Sequence, residues 1–365
     1  MFKTLIYLFL FTPIILLTAI NHGVKAEESK PKKKIISRVD KLFFKDGKTD
    51  LHGALVIPNT PGPHPVVIFV HGSGPADCTG YNSYFPIWEY FASCGFASFA
   101  WDKPGVGESK GDWSQQSFKD RANEVLSAIQ FLKSQNDIDS KRIGLWGISQ
   151  GGWILPLAAS MSKDVAFIIP VSGPGIGAKE QDIYTIEHQL KADGFSEKEI
   201  EQAKDFMVSF NKLAQDDASI QKLSELIDKF KDDAWFKFIS QAVNDWEKSF
   251  AFAKKMAKEN YDPVAVLEKV KCPVLAIWGE LDMLVPAQKS KEIFEKALKK
   301  AGNKDVTLKI FPNADHNLML TKTGGWKEQE QKSKEGKLQL APGYFELMGD
   351  WLKKRFGNKE KSENK

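Results

Sequence analysis

The chain has 365 residues, a length typical of one large α/β domain that carries an insertion. Hydrophobic residues make up 42% of it and charged residues 27%, which excludes an intrinsically disordered chain and a protein with many membrane spans. The formal charge is only +4, and a charge this small gives no support for nucleic-acid binding.

The N-terminal segment has the pattern of a secretory signal peptide. Lys3 precedes residues 4–20, which carry no charge, and the segment ends in the small-x-small sequence Val24-Lys25-Ala26. We therefore expect cleavage after Ala26, export to the periplasm or the extracellular space, and no stable membrane span in the mature chain. The alternative is an uncleaved anchor, because 17 uncharged residues approach the length of a membrane span.

Short apolar runs alternate with helical patterns along most of the remaining chain. An antiparallel hairpin is expected first, from residues 41–44 and 51–58, and it should form an edge of the sheet. Six later runs are apolar without alternation, as in parallel strands buried on both faces: residues 66–70, 97–101, 143–146, 165–169, 274–278 and 306–311.

The segments between these runs have helical spacing, at residues 84–94, 117–134, 152–161, 288–300 and 344–356. Repeated strand and helix order of this kind predicts an α/β fold with a doubly wound, mostly parallel sheet.

The alternation stops once, between about residues 175 and 261, where the sequence is amphipathic and helical throughout. Ser196 and Glu199 there have the spacing of a capping box. We expect a helical cap at residues 175–264, inserted between two parts of the core at 27–174 and 265–356, with a disordered charged tail at 357–365. Most aromatic side chains of the cap should pack within it, but some should face the active site: Phe206, Phe210, Trp235, Phe236, Trp246 and Phe250.

The cysteines are too few to build a disulfide scaffold, since the chain has only Cys78, Cys94 and Cys272. An oxidising compartment allows one bridge, and Cys78 with Cys94 is the expected pair if one forms. Cys272 starts an apolar strand and is expected to be an inert, packed thiol.

The strongest chemical signal is the sequence Gly147-Ile148-Ser149-Gln150-Gly151, which lies directly between a predicted strand and a predicted helix. A Gly-x-Ser-x-Gly match alone arises by chance in roughly one chain in ten of this length. Its position gives it weight, because a serine at a tight strand-to-helix turn is lifted above the sheet and needs small neighbours. Ser149 is therefore the predicted nucleophile.

A serine hydroxyl needs a general base within hydrogen-bond reach, itself held by a carboxylate. Only His188 and His316 follow Ser149 in the chain. His188 lies in the cap sequence, where a packing or surface role is expected, whereas His316 follows the last predicted strand. Sites in open α/β sheets form at the carboxyl ends of strands, so His316 is the predicted base.

Two carboxylates, Glu280 and Asp282, directly follow the strand at residues 274–278. Asp282 is preferred as the orienting acid, because the Gly-x-x-Asp spacing leaves a tight turn before it. Glu280 is the alternative, and Asp315, next to His316, is interpreted as a loop residue.

A tetrahedral intermediate also needs donors for its oxyanion, each worth ~3–4 kcal/mol. The backbone N–H of Gln150 is one candidate. The second is expected from the loop His71-Gly72-Ser73-Gly74-Pro75, where we assign the N–H of Ser73, with Gly74 as the alternative and His71 as a structural residue.

Four motifs together resemble the α/β-hydrolase superfamily, and most closely its bacterial esterases related to dienelactone hydrolases and prolyl-oligopeptidase-like enzymes: residues 71–75, 101–109, 147–152 and 272–282. The resemblance covers about residues 43–356 and implies the α/β-hydrolase fold with an inserted cap. Dienelactone hydrolases use a cysteine nucleophile where this chain has Ser149. The resemblance also implies that Asp102, Gly105 and Gly107 belong to a loop that is usually structural in this superfamily.

These features predict a serine hydrolase that cleaves carboxylic esters of small or medium acyl substrates through an acyl-enzyme. The site needs no cofactor and no metal, and the expected partner is a small-molecule ester. A serine aminopeptidase or a thioesterase would use the same groups. A non-catalytic binding protein on this fold is the alternative of a different class, and the presence of all three catalytic groups argues against it.

Overall fold

The structure is a computed structural model that describes residues 35–241, 243, 245–259 and 261–357. The predicted signal peptide, residues 1–26, and residues 358–365 of the predicted tail lie outside the described residues. Within the described ranges, no helix combines the length and the apolar character that crossing a membrane requires.

Eight strands form one sheet: β1 Ile36–Asp46, β2 Thr49–Pro58, β3 His64–Val70, β4 Ala97–Trp101, β5 Ile138–Ile148, β6 Ile168–Val171, β7 Val274–Gly279 and β8 Val306–Phe311. Their order across the sheet is β1-β2-β4-β3-β5-β6-β7-β8. The hairpin β1–β2 and its pairing with β4 are antiparallel, and every later pair is parallel. The predicted doubly wound, mostly parallel sheet is confirmed, with the hairpin at its edge.

The strands near the centre of the sheet are buried on both faces, as their continuous apolar sequences predict. Every residue of β3, β4 and β7 is buried. Strand β6 begins three residues later than expected and continues through Pro170 to Val171.

Twelve α-helices lie among the described residues: α1 Phe85–Ser93, α2 Phe118–Lys133, α3 Gly151–Met161, α4 Ala178–Ala192, α5 Glu197–Gln215, α6 Ile220–Asp228, α7 Ala234–Ser240, α8 Trp246–Glu259, α9 Pro263–Leu267, α10 Ala287–Lys300, α11 Trp326–Lys334 and α12 Tyr344–Phe356. Helices α2, α3 and α10 bury apolar side chains against one face of the sheet. Helices α1 and α12 cover the other face. The sheet therefore lies between two helical layers.

Helices α4 to α8 follow one another between β6 and β7 without a strand among their described residues, and we call them the inserted helices. They have a hydrophobic cluster of their own, separate from the two clusters that flank the sheet. All six aromatic residues that the sequence singled out there belong to this cluster, with Trp246 partly buried at its edge.

The three cysteines are free thiols. Cys78 is buried against Asp102, whose Oδ1 accepts the Cys78 backbone N–H at 2.6 Å. No bridge joins Cys78 to Cys94 in this structure.

Candidate active site

Ser149 lies at the sharp turn between β5 and α3, with a positive φ of 57°. This left-handed conformation is strained for a residue with a side chain and is typical of functional turns. Its backbone N–H donates to the carbonyl of Val171 in β6 at 2.9 Å, and its own carbonyl accepts the N–H of Gly152 at 2.7 Å. The surrounding sheet and helix therefore hold the strained turn in place.

Glycines on both sides of Ser149 are required by close backbone contacts. A Cβ atom on Gly147 would lie 2.8 Å from the carbonyl oxygen of Val70, and one on Gly151 would lie 2.6 Å from the same atom. A Cβ on Gly152 would lie 2.3 Å from the Cα of Gly173. The Gly-x-Ser-x-Gly-Gly sequence thus lets β5 and α3 approach their neighbours.

Asp282 follows β7 and His316 follows β8, so both reach the carboxyl edge of the sheet, where Ser149 also lies. His316 Nδ1 lies 2.8 Å from Asp282 Oδ2. The other carboxylate oxygen, Oδ1, accepts the N–H groups of Leu284 at 2.8 Å and Val285 at 2.9 Å. Asp282 is only 1% exposed, and this network fixes its orientation.

The imidazole of His316 has one nitrogen free for chemistry. With Nδ1 donating to Asp282, Nε2 has the lone pair of a general base. Nε2 is buried and has no hydrogen-bond partner among the described residues, so it is not bonded to Ser149 Oγ in this structure. Nucleophile and base contacts are often long in ligand-free enzymes. The loop is held beside β6, because Ser172 Oγ donates to the His316 carbonyl at 2.7 Å.

The alternative residues from the sequence lie in other contacts. Glu280 is exposed and accepts the backbone N–H of Asn313 at 3.0 Å. His188 lies on α4 and stacks on Tyr184, with ring centroids 3.8 Å apart. Asp315 accepts two backbone N–H groups of its own loop, and burial raises the pKa of its carboxyl to about 6. None of the three contacts His316 Nδ1.

Both residues assigned as oxyanion donors lie near the serine. Ser73 lines the same pocket as Ser149, and it also shares a small cleft with Gln150 and with Phe252 of α8. Gly72 packs closely against the nucleophile, since a Cβ there would lie 3.4 Å from the Ser149 Cβ. Among the described residues, no backbone carbonyl accepts the N–H of Ser73 or of Gln150.

Two buried cations contact the 71–75 loop, and sequence reasoning missed both. Lys103 Nζ donates to the carbonyls of Gly72 and Gly74, each at 2.6 Å. Arg121, on α2, donates to the carbonyl of His71 and to the side chain of Gln150. The sequence signals that could have identified them are a lysine two residues after the end of β4 and an arginine beside the apolar face of α2.

His71 has the structural role expected of it. Its Nδ1 lies 2.7 Å from the Tyr84 hydroxyl and its Nε2 lies 2.6 Å from the carbonyl oxygen of Trp101. Burial and the nearby Lys103 lower the pKa of the imidazole to about 3. The ring is therefore neutral and fully bonded.

Asp102 also has a structural environment. Its Oδ2 lies 2.8 Å from His52 Nδ1 and accepts the Glu108 N–H at 3.0 Å. Potential metal-ligand atoms of His52, Cys78 and Asp102 lie within 4.8 Å of one another. Hydrogen bonds to Asp102 already account for this cluster, and the absence of a metal requirement stays a prediction from the sequence.

An apolar pocket of about 130 Å³ opens beside Ser149. Its walls come from the 71–87 segment, from Trp146 of β5 and from the 317–345 segment. The principal apolar side chains are Ile87, Trp146, Met319, Leu338, Leu340 and Phe345. None of the six aromatic residues predicted from the inserted helices lines it, so the expectation that some of them face this pocket is wrong. They are buried against one another instead.

Comparison with known proteins gives matches to a hydrolase family and to an esterase. A family model described as serine aminopeptidase, S33, matches residues 61–322, which include all of the candidate catalytic residues. The esterase EstD of Thermotoga maritima is 26% identical over 278 residues, covering 75% of this chain and 59% of the relative. An uncharacterized 31.7 kDa protein of Escherichia coli is 25% identical over 238 residues, covering 64% and 77%.

Among solved structures, an esterase from Pyrococcus furiosus superposes with a TM-score of 0.54 at 17% sequence identity. The match covers 92% of this chain and 100% of that one. At this identity the likeness establishes the α/β-hydrolase fold.

Proposed function

The chain belongs to the serine aminopeptidase S33 family of hydrolases, and we propose that it cleaves carboxylic esters of small to medium acyl groups through an acyl-enzyme on Ser149. The observation that carries the proposal is the pair formed by Asp282 and His316. The contact of Asp282 with Nδ1 leaves Nε2 of His316 without a hydrogen-bond partner among the described residues. This nitrogen lies at the sheet edge where Ser149 is held at a positive φ.

The proposed reaction follows from these positions. Ser149 Oγ attacks the ester carbonyl carbon while His316 Nε2 takes its proton, and Asp282 stabilises the imidazolium. The N–H groups of Ser73 and Gln150 bind the oxyanion. Collapse of the intermediate expels the alcohol, which takes the proton from His316. A water molecule, deprotonated by His316, then attacks the acyl-enzyme carbonyl, and His316 returns the proton to Ser149 Oγ as the ester bond to the serine breaks and the acid leaves.

The pocket beside Ser149 supports the choice of substrate size. Its volume of about 130 Å³ is close to that of a cavity of roughly 150 Å³ that holds benzene in an engineered protein. One aromatic ring or a short alkyl chain therefore fits. Larger groups would need displacement of Leu338 or Leu340 on the 317–345 segment.

The same pocket supports an ester rather than an aminoacyl substrate. An aminopeptidase must bind the substrate's ammonium group, and a carboxylate is the usual partner for it. No Asp or Glu occurs among the residues that line this pocket. Aminopeptidase activity, which the family description names, is the second candidate.

The test uses a panel of p-nitrophenyl esters from acetate to decanoate, together with aminoacyl p-nitroanilides. We expect hydrolysis of the short esters, a decline in kcat/KM beyond the chain length that fills the pocket, and labelling by a fluorophosphonate probe. Ser149→Ala should lower kcat by about 10⁵-fold or more and abolish labelling.

Ser114→Ala is the matched control, since within the described part of the chain that hydroxyl bonds only Asp112 and Gln115 of its own turn. Undiminished turnover in Ser149→Ala would disprove the assigned nucleophile. Faster cleavage of the anilides than of every ester would favour the aminopeptidase.

A further inference from the structure

Lys103 and Arg121 form a pair of buried cations below the loop that carries one oxyanion donor. Lys103 is only 2% exposed and Arg121 only 7%. Removing a charged group from water costs several kcal/mol. A hydrophobic side chain of similar length could fill the site of Lys103 without that cost, so packing alone does not explain a lysine there.

The carbonyls that these cations bind determine where the neighbouring N–H groups point. In a planar trans peptide, the C=O of one residue and the N–H of the next point in opposite directions. Because Lys103 Nζ holds the Gly72 carbonyl at 2.6 Å, the Ser73 N–H must point away from Lys103. Its second bond, to the Gly74 carbonyl, fixes the loop on the other side of Ser73.

Arg121 contacts both segments that carry an assigned oxyanion donor. One of its nitrogens donates to the His71 carbonyl at the start of the loop, and another donates to the side chain of Gln150. The backbone N–H of Gln150 is the other assigned donor. A single guanidinium therefore links the segments that carry both donors.

We propose that Lys103 and Arg121 are positioning residues that align the Ser73 and Gln150 N–H groups for the oxyanion. This inference rests on the proposed hydrolase function. Neither side chain contacts the substrate in the proposed reaction. The ammonium of Lys103 also polarises the Gly72–Ser73 peptide, which makes its N–H a stronger donor while the lysine is charged.

The charge of Lys103 should then appear in the pH dependence of kcat. Burial and the neighbouring Arg121 lower the pKa of the ammonium well below its usual value, while Glu124 opposes this shift. When pH rises through the pKa of Lys103, the neutral amine polarises the peptide less. kcat should therefore fall on the alkaline side.

The experiment compares Lys103→Met with Lys327→Met. Lys327 is the control because its Nζ also donates to a backbone carbonyl, that of Asp193, and lies over two aromatic rings, but on α11 and from an exposed residue. With a short p-nitrophenyl ester, Lys103→Met should lower kcat by about 10- to 100-fold while KM changes less than about threefold. Affinity of Lys103→Met for a trifluoromethyl ketone should fall in parallel with kcat. Lys327→Met should match the wild type in kcat, in KM and in affinity for the ketone.

Lys103→Arg supplies a second readout, since arginine keeps its charge at every accessible pH. It should recover part of kcat and move the alkaline decline to higher pH, and it serves as the test if Lys103→Met does not fold. Arg121→Met should likewise lower kcat while KM changes less.

An unchanged kcat in folded Lys103→Met, or an alkaline decline at the same pH in wild type and Lys103→Arg, overturns the inference alone. Absence of Ser149-dependent hydrolysis in the wild type overturns the proposed function, and the inference with it.

Discussion

At the scale of single residues, the hydrogen bonds of Asp282 determine how His316 is oriented. Two backbone N–H groups hold one of its oxygens, which leaves the other directed at His316 Nδ1. A carboxylate held in this way selects the tautomer in which Nε2 of the histidine is the base.

An asparagine at position 282 should keep the shape of the site but lose this selection. Its amide can donate to Nδ1, which places the imidazole proton on Nε2 and removes the base. We expect Asp282→Asn to lower kcat by about 10³- to 10⁴-fold with a small change in KM, measured with the same ester.

Glu280→Gln is the control for this change, because the Glu280 side chain is exposed and, among the described residues, bonds only the backbone N–H of Asn313. It should retain nearly full kcat. If Glu280→Gln were inactive and Asp282→Asn active, the acid would be misassigned.

The sequence was sufficient to nominate Ser149, Asp282 and His316, because each follows an apolar strand and the chain offers few alternatives. It did not reveal Lys103 or Arg121. A basic residue at a strand end or in a helix is usually a solvated charge, and only the folded chain shows which carbonyls it contacts. The pocket wall formed by Leu338 and Leu340 was missed because it lies in a segment without a periodic pattern.

At the scale of secondary structure, the turn between β5 and α3 depends on how closely α3 approaches the end of β6. Gly152 and Gly173 are in backbone contact there, so neither backbone can move aside as a flexible side chain could. The orientation of α3 also sets the position of the Gln150 N–H.

Gly152→Ala should therefore destabilise the protein as well as impair catalysis. Its Cβ would lie 2.3 Å from the Gly173 Cα, and we expect a loss of about 3 kcal/mol in the free energy of unfolding. Urea denaturation measures this value, and ester hydrolysis by the folded fraction should also be lower than in the wild type.

Gly177→Ala is the matched control, since no atom lies within 4 Å of the Cβ position at Gly177. Its free energy of unfolding should stay within about 1 kcal/mol of the wild type. Equal stability of the two variants would contradict the importance of the contact between Gly152 and Gly173.

Strands and helices were largely predictable because both sides of the sheet are covered, so continuous apolar runs mark the strands. Strand β6 was placed three residues too early because the apolar run begins at Val165, before the residues that pair with β5 from Ile168 onward. The inserted helices were recognised as helical, and most of their aromatic side chains pack within them as expected, but the expectation that some line the pocket beside Ser149 was wrong. Phe206, for example, packs against Trp235, Phe236 and Trp246, with ring centroids 5.2–5.9 Å apart. A helical pattern cannot distinguish such mutual packing from contact with a pocket.

At the scale of the whole molecule, three wholly or partly buried acids make folding stability depend on pH. Burial raises the pKa of Glu124 and of Asp182 to about 7 and that of Asp315 to about 6. An acid with a raised pKa in the folded state holds its proton when the unfolded chain has lost it. The unfolded state then binds fewer protons, so stability falls as pH rises from about 4 to 7.

Asp182→Asn should reduce this fall. Asp182 lines a cavity of about 290 Å³ bounded by α4, α5 and α8, and it forms no ion pair among the described residues. The variant should equal the wild type in stability near pH 4 and exceed it by about 2 kcal/mol at pH 8. This value is roughly half of the free energy that corresponds to a pKa raised by about three. We expect only half because the Asp182 side chain is partly exposed.

Chemical denaturation at pH 4, 6 and 8 measures the difference. Asp232→Asn, at a side chain that is 90% exposed, should leave the pH dependence unchanged. A constant offset between Asp182→Asn and the wild type at all three pH values would show that ionisation of Asp182 is not the cause.

The position of the inserted helices between β6 and β7 has a consequence for the order of events during synthesis. The ribosome completes Ser149 and its turn long before it reaches Asp282 and His316, with all five inserted helices made in between. Under the proposed assignment, the nascent chain has a nucleophile but no base until β8 and the loop after it have emerged. If the proposed function holds, the chain cannot hydrolyse esters while it is being translated, and it gains this activity only when its last strand joins the sheet.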